Sequence, residues 1–363
     1  MKKSVVLTAA AGESVTVVAK SGYTYGLAVE ASDVVINGIN LQGYVYGLQV
    51  GSSTAAQKNV VISNLTVTSP TSGWTEGIIA YSDTTKKGFA TSEGLLIKNV
   101  QVLSTTMGIS CNAGPCHDWK LENVKVVGRG GSGLGADAIA VEDGDNRLFL
   151  KVDVSKAAAD GIDTKATRVV VWDCTVHDLA RNGIKLWHGG DIVNTLVHHT
   201  GADAAIVTEQ GPKTRLLHTT VVYHNKGGGS GYSMTFGYDS QAAQTVEIID
   251  SIIGNTNGGL YFNTKSAIQI RGSVFFAIDN GQVLEQGSTG VSLSDGANKI
   301  VSLGMGNANL FVDPKLTATY HLGASSPAID KGQTLVTNYP AVDCQAQPRV
   351  KGQAPDPGPF EDY

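Results

Sequence analysis

One short phrase recurs along this chain at near-regular steps: an outward residue, then Gly or Ala, then apolar residues at alternating positions. Copies begin at Tyr25-Gly26-Leu27-Ala28-Val29, Tyr46-Gly47-Leu48-Gln49-Val50, Glu76-Gly77-Ile78-Ile79-Ala80 and Met107-Gly108-Ile109-Ser110-Cys111. They continue at Asp137-Ala138-Ile139-Ala140-Val141, Asp160-Gly161-Ile162-Asp163-Thr164, Asn182-Gly183-Ile184-Lys185-Leu186 and Asp203-Ala204-Ala205-Ile206-Val207. The steps between first residues are 21, 30, 31, 30, 23, 22 and 21, and Gly258-Gly259-Leu260-Tyr261-Phe262 extends the series past a less regular stretch around Gly231. A period of this size is the spacing of a solenoid coil.

Between the copies runs a second ladder of β-branched strands, including Val34-Val35-Ile36, Val60-Val61-Ile62, Leu95-Leu96-Ile97 and Val169-Val170-Val171. Gly, Asn and Asp punctuate these strands as turns. No single coil can bury its own apolar stripe. Stacking each coil on the next in parallel makes a continuous core and pairs every strand above and below. The fold class expected is therefore all-β: a single-stranded right-handed parallel β-helix of roughly ten coils, about 50 Å long at about 4.8 Å per coil. Its handedness comes from the general rule for parallel crossovers.

Composition agrees, with 44 Gly and 16% charged residues in 363. The repeat crosses every plausible boundary, so residues 1–310 read as one β-helix domain. Residues 311–363 lose the repeat and hold seven of the ten prolines; they read as an irregular segment packing on the β-helix and covering an open coil end. A net charge of −5 with scattered Lys and Arg argues against nucleic acid. No apolar run is long enough for a membrane span. The opening Met1-Lys2-Lys3 falls short of a signal peptide and runs into a strand pattern, so the chain reads as the mature form of a secreted or periplasmic monomer. Cys111 and Cys116 are close enough to bridge across a turn, although spacing does not establish the bridge.

With the apolar positions pointing inward, positions four and six of each copy point outward and stack in rows. Position four reads Ala140, Asp163, Lys185, Ile206 over the central copies, and position six reads Glu142, Lys165, Trp187, Thr208. Asp137, Asp160, Asn182 and Asp203 occupy the turn before the strand. Asp before Gly or Ala is ordinary turn chemistry. Asp163 and Lys185 bring no turn geometry, and the alternative for them is an inter-coil ion pair. Asp137, Asp160 and Asp163 can converge on one hard cation, and oxygen-only donors point to calcium. His177 and His198 align one coil apart, as a packing ladder or a transition-metal pair.

Asp160-Gly161-Ile162-Asp163 followed by Asn182-Gly183-Ile184-Lys185 resembles the centre of the family-nine polysaccharide lyases. These are calcium-dependent pectate lyases with a parallel β-helix fold. The resemblance implies Ca2+ on Asp137, Asp160 and Asp163, with Lys185 as the catalytic base. The first Asp of that family's paired turn is replaced here by Ala159. The tail, from Phe311-Val312-Asp313-Pro314 to Pro355-Asp356-Pro357-Gly358-Pro359, resembles the ending of many exported bacterial β-helix proteins.

The function expected is lyase cleavage of an acidic, uronate-containing, pectate-like polysaccharide by β-elimination. Lys165, Arg181, Trp187 and Glu142 are its expected substrate-binding residues. Two other readings stay open at this point. One is a glycoside hydrolase using two of Glu142, Asp163 and Glu209; the other is a non-catalytic carbohydrate-binding or surface β-helix.

Overall fold

A computed structural model of the chain describes residues 3–20, 24–51, 57–70, 73–81, 92–131, 136–225, 231–333 and 340–362, with backbone only at 112–114. Met1 and Lys2 of the signal-like opening, the irregular stretch just before Gly231 and the side chain of Asn112 lie outside the described residues. The fold is a parallel β-solenoid of about ten turns. It contains two compact units, Met1–Val169 with Asp178–Ala180, and Val170–His177 with Arg181–Tyr363.

In the first unit the coils stack in three ladders, and in some coils one continuous strand, such as Val61–Thr68 or Met107–Gly128, serves more than one ladder. The repeated phrase forms one ladder, in which Leu27 stacks on Leu48, then Ile78, Ile109, Ile139 and Ile162. Leu48 and the four isoleucines are fully buried. A second ladder runs Leu7, Ile36, Ile62, Ile97, Leu121, Phe149, and a third runs Val17, Leu41, Val67, Val102, Val126, Val154. Each fully buried aliphatic side chain stabilises the fold by about 1.5–3 kcal/mol relative to exposure.

Asparagines turn the chain between the second and third ladders. Asn64, Asn99 and Asn123 have φ of 53°, 54° and 52°, a left-handed conformation that Asn tolerates better than most side chains. Their amides stack: Asn64 donates to Asn37 at 2.7 Å, Asn99 to Asn64 at 2.9 Å and Asn123 to Asn99 at 2.9 Å. Cys111 and Cys116 form a disulfide with Cα atoms 6.6 Å apart.

The second unit repeats the plan. Ile184, Ile206, Met234, Leu260 and Leu284 stack in the first ladder. Ile192, Leu216, Ile248 and Ile270 form the second, and Val197, Val221, Ile253, Phe275 and Phe311 the third. Phe236 and Phe262 stack inside the core with ring centroids 5.0 Å apart. The first ladder ends where Gln282–Gln286 pairs antiparallel with Thr289–Ser292, ahead of a short helix at Ala297–Ser302. The tail is fastened to this unit by the buried Arg349, which donates to Asn194 Oδ1 and to the carbonyls of Gly358 and Pro359.

The register departs from the sequence reading at one copy. Lys185 pairs with Val207 rather than Ile206, so Ile206 is the fully buried partner of Ile184. Ala204, Ala205 and Ile206 are all buried, and a run with no alternation does not fix which residue points out. The slip also exchanges Thr208, which is fully buried, for Glu209 in the slot after Trp187.

Candidate functional site

The first-ladder strands of the second unit carry an outward row in which Lys185, Val207, Thr235, Tyr261 and Glu285 are successive register partners. Along this row lies a cleft of about 930 Å³. Arg181, Lys185 and Trp187 line one end of it, and Asp279, Gln282 and Glu285 belong to the last coil. Lys185 is half-buried, and its ammonium nitrogen lies 5.8 Å from the centroid of the Trp187 ring. Strand geometry accounts for this pair, because residues two apart project from the same face. Arg181 sits in the turn before the strand, and its guanidinium holds Asp203 at 2.6 Å. Asn182 is buried and accepts the Ala204 amide at 2.9 Å, which ties this turn to the next coil.

Three of the residues expected from sequence, Lys185, Arg181 and Trp187, are thus gathered in one cleft. Glu142 and Lys165, outward on consecutive coils of the first unit, form an ion pair with each other. In the same unit Asp160 is 3% exposed, while Asp137 and Asp163 are half-buried. Asp137 Oδ1 accepts the Asp160 backbone N–H at 2.9 Å, so this carboxylate does turn work between coils. Hard oxygen donors suit calcium. As placed, however, the three do not fit it, because among the described residues no group of three or more His, Cys, Asp or Glu is arranged to hold a metal ion.

Of the far wall of the cleft, the sequence pointed to Glu209 alone, as a hydrolase candidate, and not to its tyrosines or to Glu285. Tyr232 donates its hydroxyl to Glu285 Oε2 at 2.7 Å, and burial together with that carboxylate pushes the phenol pKa up. Tyr232 and Tyr261 have ring centroids 5.2 Å apart, and Tyr238 packs on Tyr261 at 4.9 Å. Glu209 is 1% exposed, and burial pushes its carboxyl above the usual range. Its Oε2 accepts the N–H groups of Asp239 and Ser240, each at 3.0 Å, holding that loop against the cleft. The signal available in sequence was the outward row itself: continuing it past Gly231 in correct register reaches Tyr261 and Glu285. His177 and His198 stack with ring centroids 4.8 Å apart, and the stack continues through Tyr320.

No protein-family model matches this chain, and no curated protein matches it. Among solved structures it is similar to pectate lyase Pel9A, with 13% identity, 94% of this chain and 98% of that chain covered, and a TM-score of 0.53. It is also similar to the A-module of the mannuronan C-5 epimerase AlgE4 of Azotobacter vinelandii, with 12% identity, 76% and 85% coverage and a TM-score of 0.42. Fold and site together define a class: parallel β-solenoids with a side-chain cleft on one strand face. The likeness to the Pel9A structure is one of fold.

Proposed function

We propose that the protein is a polysaccharide lyase that cleaves a uronate-containing polymer by β-elimination, with Lys185 as the base. The observation that carries this reading is the cleft that Lys185, on an outward strand row, lines together with Trp187 and Arg181. The fold of a pectate lyase over most of both chains supports it.

In the proposed step the neutral Lys185 amine takes the proton from C5 of the uronate. The C5–H electron pair forms the C4–C5 double bond, the C4–O bond breaks, and the leaving oxygen takes a proton from water. Arg181 stands where a uronate carboxylate can be met by a planar cation. The indole of Trp187 offers a flat apolar surface to a sugar ring.

Calcium takes no part in the step as written. On this reading the ion binds by regrouping Asp137, Asp160 and Asp163 rather than by entering a preformed site. Calcium added to metal-stripped protein should then raise the melting midpoint by mass action, and the rise should be lost in Asp163→Asn. An equal rise in that variant would place the ion elsewhere.

Digestion of uronate polymers followed by ultraviolet absorbance tests the reaction. A lyase yields an unsaturated uronide. New reducing ends without that absorbance would select the hydrolase reading, for which Glu209 is the carboxyl already in the cleft with a raised pKa. Binding without either product would select the non-catalytic one. Export as a secreted or periplasmic monomer belongs to the same reading; fractionation of the native host and light scattering test it.

A further inference from the structure

Among the described residues the cleft is lined by two basic side chains, Arg181 and Lys185, and by five carboxyl groups, of Asp203, Glu209, Asp239, Asp279 and Glu285. Both cations belong to the first coil of the row, and Asp203 is engaged by Arg181. From there the register runs through Val207, Thr235 and Tyr261 to Glu285, four coil steps or about 19 Å at about 4.8 Å each. Past the first coil, the described residues of the lining hold four further carboxylates and no cation. A polymer carrying a carboxylate on every sugar would set like charges against one another along that stretch, and like charges in a partly desolvated cleft repel.

The same stretch suits a sugar without negative charge. Tyr232 and Tyr238 face it, and Tyr238 is 47% exposed, leaving an aromatic surface open to an apolar sugar face. Ionised carboxylates only accept hydrogen bonds, so Glu285, Asp239 and Asp279 are matched to hydroxyl or amide donors.

We propose that this cleft selects a heteropolymer, in which a uronate held at Arg181, beside Lys185, is followed by sugars that are uncharged or cationic. The inference rests on the lyase reading for its first subsite and goes beyond it in naming what occupies the rest. Glu285 and Asp239 are then specificity residues. A rival account of the same carboxylates is that they hold bridging divalent cations which in turn hold a homopolyuronate. The two accounts predict opposite signs.

The experiment compares wild type with Glu285→Gln/Asp239→Asn on three probes: polygalacturonate as the homopolymer, the alternating rhamnose–galacturonate backbone, and hyaluronan as a uronate alternating with an N-acetylhexosamine. Binding is measured by calorimetry with and without chelator, and turnover by absorbance of the unsaturated product. At least one alternating polymer is expected to bind at least tenfold tighter than polygalacturonate in wild type. The double variant is expected to bind polygalacturonate several-fold tighter, with the gain shrinking as salt is raised. Tighter binding of polygalacturonate by wild type, a loss of its binding in the double variant, or no binding of any probe would overturn the proposal. Because binding is read separately from product, absence of unsaturated product with the expected binding order removes the lyase reading and leaves the selectivity standing.

Discussion

In the lyase reading proposed above Lys185 is the base, and its neighbours tell how to test it. Positioned general bases contribute about 10²–10⁴-fold, so Lys185→Ala should lose at least about 100-fold in kcat while retaining fold and polymer binding. Lys185→Arg should fail as well, because guanidinium stays protonated. The amine is active only when neutral, so turnover should rise with pH; a rate that falls from neutral to alkaline pH would remove Lys185 as base. Lys165 is the rival base, and its ion pair with Glu142 makes the comparison informative. Substantial activity in Lys185→Ala with a dead Lys165→Ala would make Lys165 the base. Trp187→Ala should act on KM more than kcat, since the indole offers surface rather than proton chemistry.

A single strand and its turn decide where that lysine points. A Cβ added at Gly183 would come within 2.5 Å of the Ala205 carbonyl oxygen and 2.6 Å of Val197 Cγ1, contacts shorter than side chains tolerate. Gly183→Ala should therefore destabilise the protein by about 1–3 kcal/mol, read by denaturant melting, and should lower activity by shifting the strand Ile184–Leu186. Unchanged stability would mean that the neighbouring coil gives way easily. At this scale the sequence was legible wherever polar and apolar residues alternate. Ile162 beside Asp163 and Ile184 beside Lys185 declare their facing, and the structure buries both isoleucines completely. The Ala204-Ala205-Ile206 run does not, and it hid Glu209 from its row for want of a polar marker. The far wall was also illegible. Tyr232 and Glu285 are 53 residues apart, and their hydrogen bond depends on coil lengths that no local pattern reveals.

Across the second unit, the tail gathers buried acids whose protonation is linked to stability. Burial pushes Asp250 up to about 8, Glu361 up to about 7 and Asp356 up to about 6. Burial also holds the His218 imidazole far below its ordinary range, so His218 and Asp250 face each other as neutral groups. A carboxyl whose folded pKa lies above its unfolded value binds more protons in the folded state between the two. The stability these three contribute is present in full below about pH 4 and is lost as pH rises through 6 to 8. Glu122, lowered to about 2 by Lys120 and Lys98, is half-buried and ionised throughout that window, so it leaves the slope unchanged. His218 and His224, both depressed by burial, act with the opposite sign below about pH 6.5, so the melting midpoint should fall from pH 7 to pH 9, where only the raised acids still titrate, while turnover by a lysine base rises. A midpoint that rises over this range would show that these acids are ionised in the folded chain.

The sequence by itself determined the coil: its period, its inward residues and the outward placement of Lys185 and Trp187, because period-two alternation within a repeat is a local property that survives without the fold. Only the tertiary structure decided what shares a cleft with Lys185. Register between coils, the choice between turn bond and metal ligand for Asp137, and the meeting of Arg181, Glu209, Tyr232 and Glu285 all depend on how coils of unequal length stack. Stacking is set by the whole core together, and each coil's sequence specifies only its own part of it.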